Sequence, residues 1–141
     1  MNPETADGNA RRLATLLRGL GIFDCCAAIA VVAPRAWLAD AHAWLGLGVL
    51  PDTPVVNYLM RSASALYALF GLTMVVLSCD VRRYCQLIGF LSWAALVHGA
   101  VIVWIGIATG LPSWWPVLEG IGYFAPATAM LALYYRVRPL P

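Results

Sequence analysis

Four long apolar runs dominate the sequence, and shorter polar or interrupted stretches separate them. The runs cover about residues 13–33, 55–78, 83–108 and 114–135. A helix needs about 20 apolar residues to cross the hydrocarbon core of a bilayer, and each run is long enough. The pattern therefore predicts an all-α membrane protein with four transmembrane helices in a single membrane domain, residues 1–141.

The connections between the later helices are short. Residues 79–82 join the second helix to the third, and residues 109–113 join the third to the fourth. Such connections force sequence neighbours to run antiparallel, which predicts an up-down-up-down bundle.

The first run follows two arginines, as in a signal peptide, but Pro34 directly after the plausible cleavage site at Ala33 favours a retained helix. Pro34 is also expected to end or kink that helix, because it lacks a backbone N–H.

The segment between the first and second helices, residues 35–50, is too short and too interrupted to cross a membrane. Trp37, Ala41 and Trp44 recur at helical spacing within it. A tryptophan ring with its polar N–H is well suited to the membrane interface, so the spacing predicts a short outer helix lying in the interface plane. A loop that packs over the end of the bundle is the alternative.

The composition agrees with a membrane protein and leaves no room for a separate soluble domain. The chain is 62% hydrophobic and 11% charged, with a mean hydropathy of +0.77, whereas soluble domains are about half apolar and about a quarter charged. The net charge is only +2 and no basic run occurs, so nucleic acid is not expected as a partner. All nine basic residues are arginine, a bias typical of a GC-rich bacterium.

The arginines are distributed unevenly between the two predicted sides of the membrane. Seven flank one side: Arg11, Arg12, Arg18, Arg82, Arg83, Arg136 and Arg138. By the positive-inside rule this side is cytoplasmic, which places both termini in the cytoplasm of a multi-pass protein of the bacterial inner membrane. Trp114 and Trp115 then lie at the outer interface as anchors, together with Trp37 and Trp44.

Besides the flanking arginines, four ionisable residues fall within the predicted spans, where each is costly and therefore a functional candidate. They are Asp24, Arg61, His98 and Glu119. Arg61, His98 and Glu119 share one level in the outer half, and small residues on the face of Arg61 indicate that it points into the bundle. One interpretation is a polar pocket in which Arg61, His98, Glu119 and Tyr123 hold a small polar or quinone-like head group. The other is a structural Arg61–Glu119 ion pair, with His98 hydrogen-bonded to a carbonyl or a serine.

Asp24 is expected to lock helices together or to be protonated and hydrogen-bonded, rather than to relay protons. The four cysteines, Cys25, Cys26, Cys79 and Cys85, have no metal-binding spacing and are interpreted as small buried hydrophobes. No metal site is expected, because two histidines supply too few ligands. No nucleophile, base and oxyanion donor can be assembled, so no catalytic residue is predicted.

The second helix contains the run MRSASALYALFG, residues 60–71. Its leading arginine, its small residues and its Tyr-x-x-x-Gly spacing resemble the second helix of small bacterial DoxX-like membrane proteins, which share the four-helix plan. The resemblance carries over to Arg61, Tyr67 and Gly71 without assigned chemistry. It would imply a link to quinone-dependent sulfur oxidation or redox homeostasis, with which some members of that family are associated.

These observations support three hypotheses about function. The first is a non-enzymatic accessory or scaffold protein without a cofactor, either self-associating or a small subunit of a larger membrane complex. It draws on the missing catalytic set and on a small-residue strip of the third helix: Ser92, Ala95, Gly99 and Gly106. The alternative is a redox-associated protein that binds a quinone or a lipid in the outward polar pocket. A proton-coupled small transporter is disfavoured, because four spans form a narrow bundle.

Overall fold

The computed structural model describes residues 3–138 of the chain. No strand occurs within this part, and the predicted all-α class is confirmed. Six helices follow one another: α1 (Pro3–Cys25), α2 (Ala28–Val32), α3 (Arg35–Trp44), α4 (Pro54–Cys79), α5 (Cys85–Ala108) and α6 (Trp114–Val137).

Four helical segments are long and apolar enough to cross a membrane. The first, Asp7–Val32, combines most of α1 with α2, and the others coincide with α4, α5 and α6. They contain 26, 26, 24 and 24 residues, which corresponds to about 36 to 39 Å of helix, longer than the bilayer core of about 30 Å. The chain is therefore a multi-pass membrane protein with four spans.

The first span differs in detail from the predicted helix over residues 13–33. Its helix α1 begins at Pro3, ahead of the span itself, since proline suits the first helical position, and the first turns of α1 are too polar to show in the hydrophobic pattern. A turn at Cys26 and Ala27 then separates α1 from α2. Ala33 is extended, with ψ 144°, because the residue before a proline is driven out of the helical region. Residues 1 and 2 lie outside the described residues.

Two helices end on a glycine in the left-handed region. Gly46 after α3 has φ 70°, and Gly110 after α5 has φ 73°. At the end of α5, the N–H of Leu111 donates to the carbonyl of Gly106 at 3.1 Å, and the N–H of Gly110 donates to Ile107. This is a Schellman motif, which satisfies helix-end carbonyls that otherwise have no partner. The sequence Gly-Leu-Pro at 110–112 therefore stops α5 sharply.

The chain divides into two compact units, and the boundary falls within α1 and within α4. Unit 1 comprises Met1–Leu20 and Val75–Pro141, and unit 2 comprises Gly21–Met74. Within unit 1, α5 and α6 form an antiparallel pair in which glycines of α5 face bulky side chains of α6. The facing pairs are Gly89 with Tyr134, Gly99 with Tyr123, and Gly106 with Pro116.

Unit 1 contains a core of large apolar side chains. Leu13 and Leu17 of α1, Ile88 of α5 and Met130 of α6 are fully buried. Ser92 is also fully buried, and its hydroxyl donates to the carbonyl of Ile88 at 2.7 Å. Its polar group is therefore satisfied inside its own helix.

Unit 2 is built on close contact between α4 and the end of the first span. A Cβ at Gly71 would lie 2.5 Å from the carbonyl oxygen of Gly21 and 2.7 Å from the nitrogen of Cys25. The Cys25 thiol donates to the carbonyl of Ala68 at 3.6 Å. Glycine at position 71 therefore lets two main chains touch. Elsewhere in the unit, Arg35 pairs with the exposed Asp52 at 2.9 Å.

Candidate functional site

The four residues of the predicted polar pocket fall in both units. Arg61 belongs to unit 2, whereas His98, Glu119 and Tyr123 belong to unit 1. The pocket and the Arg61–Glu119 ion pair therefore stay predictions, and each residue is described within its own unit.

Arg61 binds main-chain oxygen atoms at the end of the first span. Its guanidinium donates to the carbonyl of Val31 and, at 2.9 Å, to the carbonyl of Ala33. The last carbonyls of a helix have no partner within the helix, and Pro34 follows directly. Arg61 therefore acts as the cap of α2. The small residues beside it in the sequence indicated that it points into the protein, but they did not reveal this acceptor.

His98 and Tyr123 are in contact within unit 1. Their ring centroids lie 5.1 Å apart with the planes at 80°, an edge-to-face arrangement. Gly99 makes the contact possible, because a Cβ at that position would lie 2.7 Å from the Cβ of Tyr123. Two of the four predicted pocket residues are therefore neighbours, and a glycine next to one of them brings the helices together.

The imidazole of His98 is exposed on the surface of the protein. It lies about 20 Å along α5, near the middle of this 24-residue apolar span. Its ring nitrogens have no hydrogen-bond partner among residues 3–138. A polar group at this depth meets hydrocarbon unless something covers it, and hydrocarbon cannot form hydrogen bonds.

An open apolar depression of about 500 Å³ surrounds His98. We call it the α5 patch, and its lining residues all belong to that helix: Phe90, Trp93, Ala94, Val97, His98 and Val101. Trp93 and Val97 are 53% and 64% exposed, and His98 is the only member with a hydrogen-bond acceptor in its side chain. This surface was not predicted from the sequence, although its residues recur at every third and fourth position.

The two intramembrane carboxylates show no partner within their own units. Glu119 forms no hydrogen bond or ion pair with a described residue of unit 1. The same holds for Asp24 within residues 21–74, where its Cβ packs close to Gly71. Both side chains are partly buried. Their predicted roles stay open.

The predicted interfacial segment 35–50 forms a helix over its first ten residues, Arg35–Trp44. Trp37 and Trp44 on it are 66% and 85% exposed. Trp114 and Trp115, at the start of α6, pack edge-on with their centroids 5.3 Å apart. Exposed tryptophans at the ends of spans are compatible with interfacial anchors, a role that stays a prediction.

The small-residue strip of the third span contributes to packing inside unit 1. Gly99 and Gly106 face α6, and Ser92 is buried, so these positions are not left for a partner. Among the cysteines, Cys85 is buried as predicted. The prediction of burial is wrong for Cys26 and Cys79, which are exposed, because Cys26 lies in the turn between α1 and α2 and Cys79 is the last residue of α4.

Comparison with protein-family models, curated proteins and solved structures gives no match. The resemblance to DoxX-like proteins stays a prediction. Two residues of the pattern that carries it, Arg61 and Gly71, both contact the first span within unit 2. Among residues 3–138, no three His, Cys, Asp or Glu side chains lie close enough together to hold a metal ion.

Proposed function

We propose that this chain is a non-enzymatic accessory membrane protein that associates with a second copy of itself through the α5 patch. The observation that carries the proposal is the imidazole of His98, exposed in the middle of an apolar span. Lipid chains leave such a group without a hydrogen bond. A partner that covers the patch and offers a polar atom removes this cost.

A second copy supplies what the imidazole requires. Neutral histidine carries one N–H donor and one acceptor nitrogen. A twofold axis places the same surface on both partners, so the N–H of one His98 ring can donate to the acceptor nitrogen of the other while Trp93 and Val97 pack around them. Histidine is one of the side chains that form hydrogen bonds between membrane helices.

The test is the oligomeric state of His98→Leu, measured by native mass spectrometry of the full chain in a mild detergent. Hydrogen bonds between membrane helices are worth about 0.6 to 2 kcal/mol. We therefore expect the wild type to dimerise and the variant to dimerise about three- to thirtyfold more weakly. His98→Asn keeps a donor and an acceptor and should retain most of the dimer.

Gly122→Leu is the matched control on another exposed helix face. Gly122 lies on α6, and no atom stands within 4 Å of a Cβ built there, so a larger side chain begins in open space. It should leave the dimer intact. A monomeric wild type, or a dimer that survives His98→Leu but not Gly122→Leu, contradicts the proposal.

A second candidate function is the binding of a quinone or another lipid-soluble molecule at the same imidazole. The edge-to-face contact with Tyr123 favours it, because this contact fixes the orientation of the His98 ring beside an apolar depression. Organic extraction of the purified protein and chromatography of the extract test this candidate. A quinone that co-purifies with the wild type but not with His98→Leu, while the oligomeric state stays unchanged, would replace the first proposal.

We further propose the bacterial inner membrane as the location, with both termini in the cytoplasm. Support comes from the seven arginines at the two termini and in the connection between α4 and α5. Reporter fusions that are active on only one side of the membrane test it. An active periplasmic reporter at either terminus contradicts this orientation.

A further inference from the structure

Seven of the nine arginines of the chain belong to unit 1. All seven are exposed, and we call them the basic end: Arg11, Arg12, Arg18, Arg82, Arg83, Arg136 and Arg138. The acidic residues of unit 1 near them in the sequence are Glu4, Asp7 and Asp80. The basic end therefore has a clear excess of positive charge, although the whole chain carries only +2.

Contacts within unit 1 bring the three stretches that carry these arginines to one end. Arg82, in the connection between α4 and α5, pairs with Asp7 of α1. Further along α1, Nε of Arg18 lies 3.4 Å from the hydroxyl of Ser78. The Tyr134 ring packs on Gly89, which places the last turn of α6 beside the first turn of α5.

Some members of the basic end already have a partner within unit 1. Besides the contacts of Arg18 and Arg82, the guanidinium groups of Arg83 and Arg138 stack on Tyr84 and Tyr135, at 5.7 Å and 4.7 Å from the ring centroids. Arg11, Arg12 and Arg136 form no ion pair with any side chain that the structure describes. Three guanidinium groups therefore keep all their donors available at the end of an apolar bundle.

Guanidinium is the side-chain group best matched to phosphate, because its planar fork binds two oxygens at once. The arginines lie at the ends of apolar spans, where a lipid headgroup resides, and clusters of four to eight basic residues at such a position attract anionic lipids. We infer that the basic end binds the phosphate of an anionic phospholipid, with Arg11, Arg12 and Arg136 as its principal contacts. The lipid chains then lie along the apolar surface of unit 1.

The test compares phosphatidylglycerol with phosphatidylcholine of the same chain length. Each lipid is titrated against the full chain in a mild detergent, and bound lipid is counted by native mass spectrometry. Each arginine near an anionic group contributes about fivefold in affinity. We expect the wild type to prefer phosphatidylglycerol by at least about tenfold, and the triple variant Arg11→Gln, Arg12→Gln, Arg136→Gln to keep a preference of about twofold or less.

Two further variants keep the test decisive. Replacing the same three arginines with lysine preserves the charge but not the fork, and should leave an intermediate preference even if the glutamine variant does not fold. Arg35→Gln removes one arginine of unit 2 and should leave the preference unchanged. Equal binding of both lipids to the wild type, or a full preference in either triple variant, overturns the inference.

Inorganic phosphate separates a lipid headgroup from a free anion. At millimolar concentration it should not displace phosphatidylglycerol, because the lipid also contacts the apolar surface. Complete displacement by inorganic phosphate would show that the basic end recognises the free anion and would overturn the assignment to a phospholipid. Raised sodium chloride should lower the preference of the wild type, since salt screens exposed charges.

Discussion

In unit 1 the largest fully buried side chains are apolar, whereas in unit 2 the buried apolar set is small. Unit 1 buries Leu13, Leu17, Ile88 and Met130 completely. In unit 2 the buried apolar residues are Ala33, Leu50 and Met74, and the contacts between its segments are made by Arg61 and Gly71. The two parts of one short chain therefore use different interactions.

The difference follows from what a membrane offers as a solvent. Lipid chains are as apolar as leucine, so moving an apolar side chain from lipid into the protein gains little, and close packing and hydrogen bonds stabilise the fold instead. Unit 1 is stabilised by close packing of glycines of α5 against the bulky residues of α6. Unit 2 is stabilised by main-chain contact at Gly71 and by the hydrogen bonds that the Arg61 guanidinium donates. Substitutions should therefore affect the two units in different ways.

The largest effect is expected for Gly71→Ala in unit 2. The added methyl group would lie within 2.7 Å of two main-chain atoms of α1, which cannot yield as a flexible side chain would. We expect a loss of about 3 kcal/mol in the free energy of unfolding, measured by denaturation with sodium dodecyl sulfate. Gly19→Ala, where no atom lies within 4 Å, is the control and should be neutral or stabilising. Equal effects of the two variants would refute the close approach.

Leu17→Ala should have the next largest effect, in unit 1. Leu17 is fully buried, and truncation leaves a cavity. We expect a loss of about 2 kcal/mol in the free energy of unfolding, the low end of the usual range for such truncations. The loss is at the low end because, in lipid, the cavity contributes more than the transfer of apolar surface. The matched variant Leu66→Ala removes a leucine of unit 2 that is 66% exposed, and its melting temperature should be close to that of the wild type. Comparable losses in both variants would remove the contrast between the units.

Arg61→Gln tests the charged cap of α2. It removes the charge and leaves at most one of the two hydrogen bonds to the carbonyls of Val31 and Ala33, for an expected loss of about 1.5 kcal/mol. Hydrogen exchange should increase in the peptide that contains residues 28–33 and stay unchanged in peptides of α5. Arg61→Lys, which keeps the charge but not the fork, should fall in between. Unchanged exchange at residues 28–33 in Arg61→Gln would show that the cap is dispensable.

The smallest effect is expected for Arg82→Gln in unit 1. Arg82 pairs with Asp7, but the two side chains are 61% and 60% exposed, and exposed ion pairs contribute about 0 to 1 kcal/mol. The melting temperature should therefore change little. If Arg82→Gln lost more stability than Arg61→Gln, polar side chains would stabilise unit 1 more than unit 2, which would contradict the comparison.

The four spans were predictable because an uninterrupted run of about twenty apolar residues is typical of a helix that crosses a bilayer. The start of α1 at Pro3 was not predictable, because the polar residues of its first turn show no apolar periodicity. The interruption between α1 and α2 has no sequence signal either. Neither Cys26 nor Ala27 is a proline or a glycine, the residues that normally mark a break.

The residues of the candidate site were more predictable from the sequence than the contacts that they make. His98 and Tyr123 were assigned to one pocket, and the structure brings their rings together. The contacts of Arg61 were not predictable, because its acceptors are carbonyl groups, which every residue possesses. The α5 patch was missed for a related reason. Its phenylalanine, tryptophan and valine side chains are typical of any lipid-facing surface.

The turn between α5 and α6 has a consequence for how the protein enters the membrane during synthesis. Residues 109–113 contain no charged side chain, and Gly110 closes the turn within a few residues. A charged residue at mid-membrane costs about 2.5 to 3.5 kcal/mol during insertion, so a neutral turn can cross at little cost. In the proposed orientation, the connection before α5, which carries Asp80, Arg82 and Arg83, stays in the cytoplasm. We therefore expect α5 and α6 to insert together as a preformed helical hairpin.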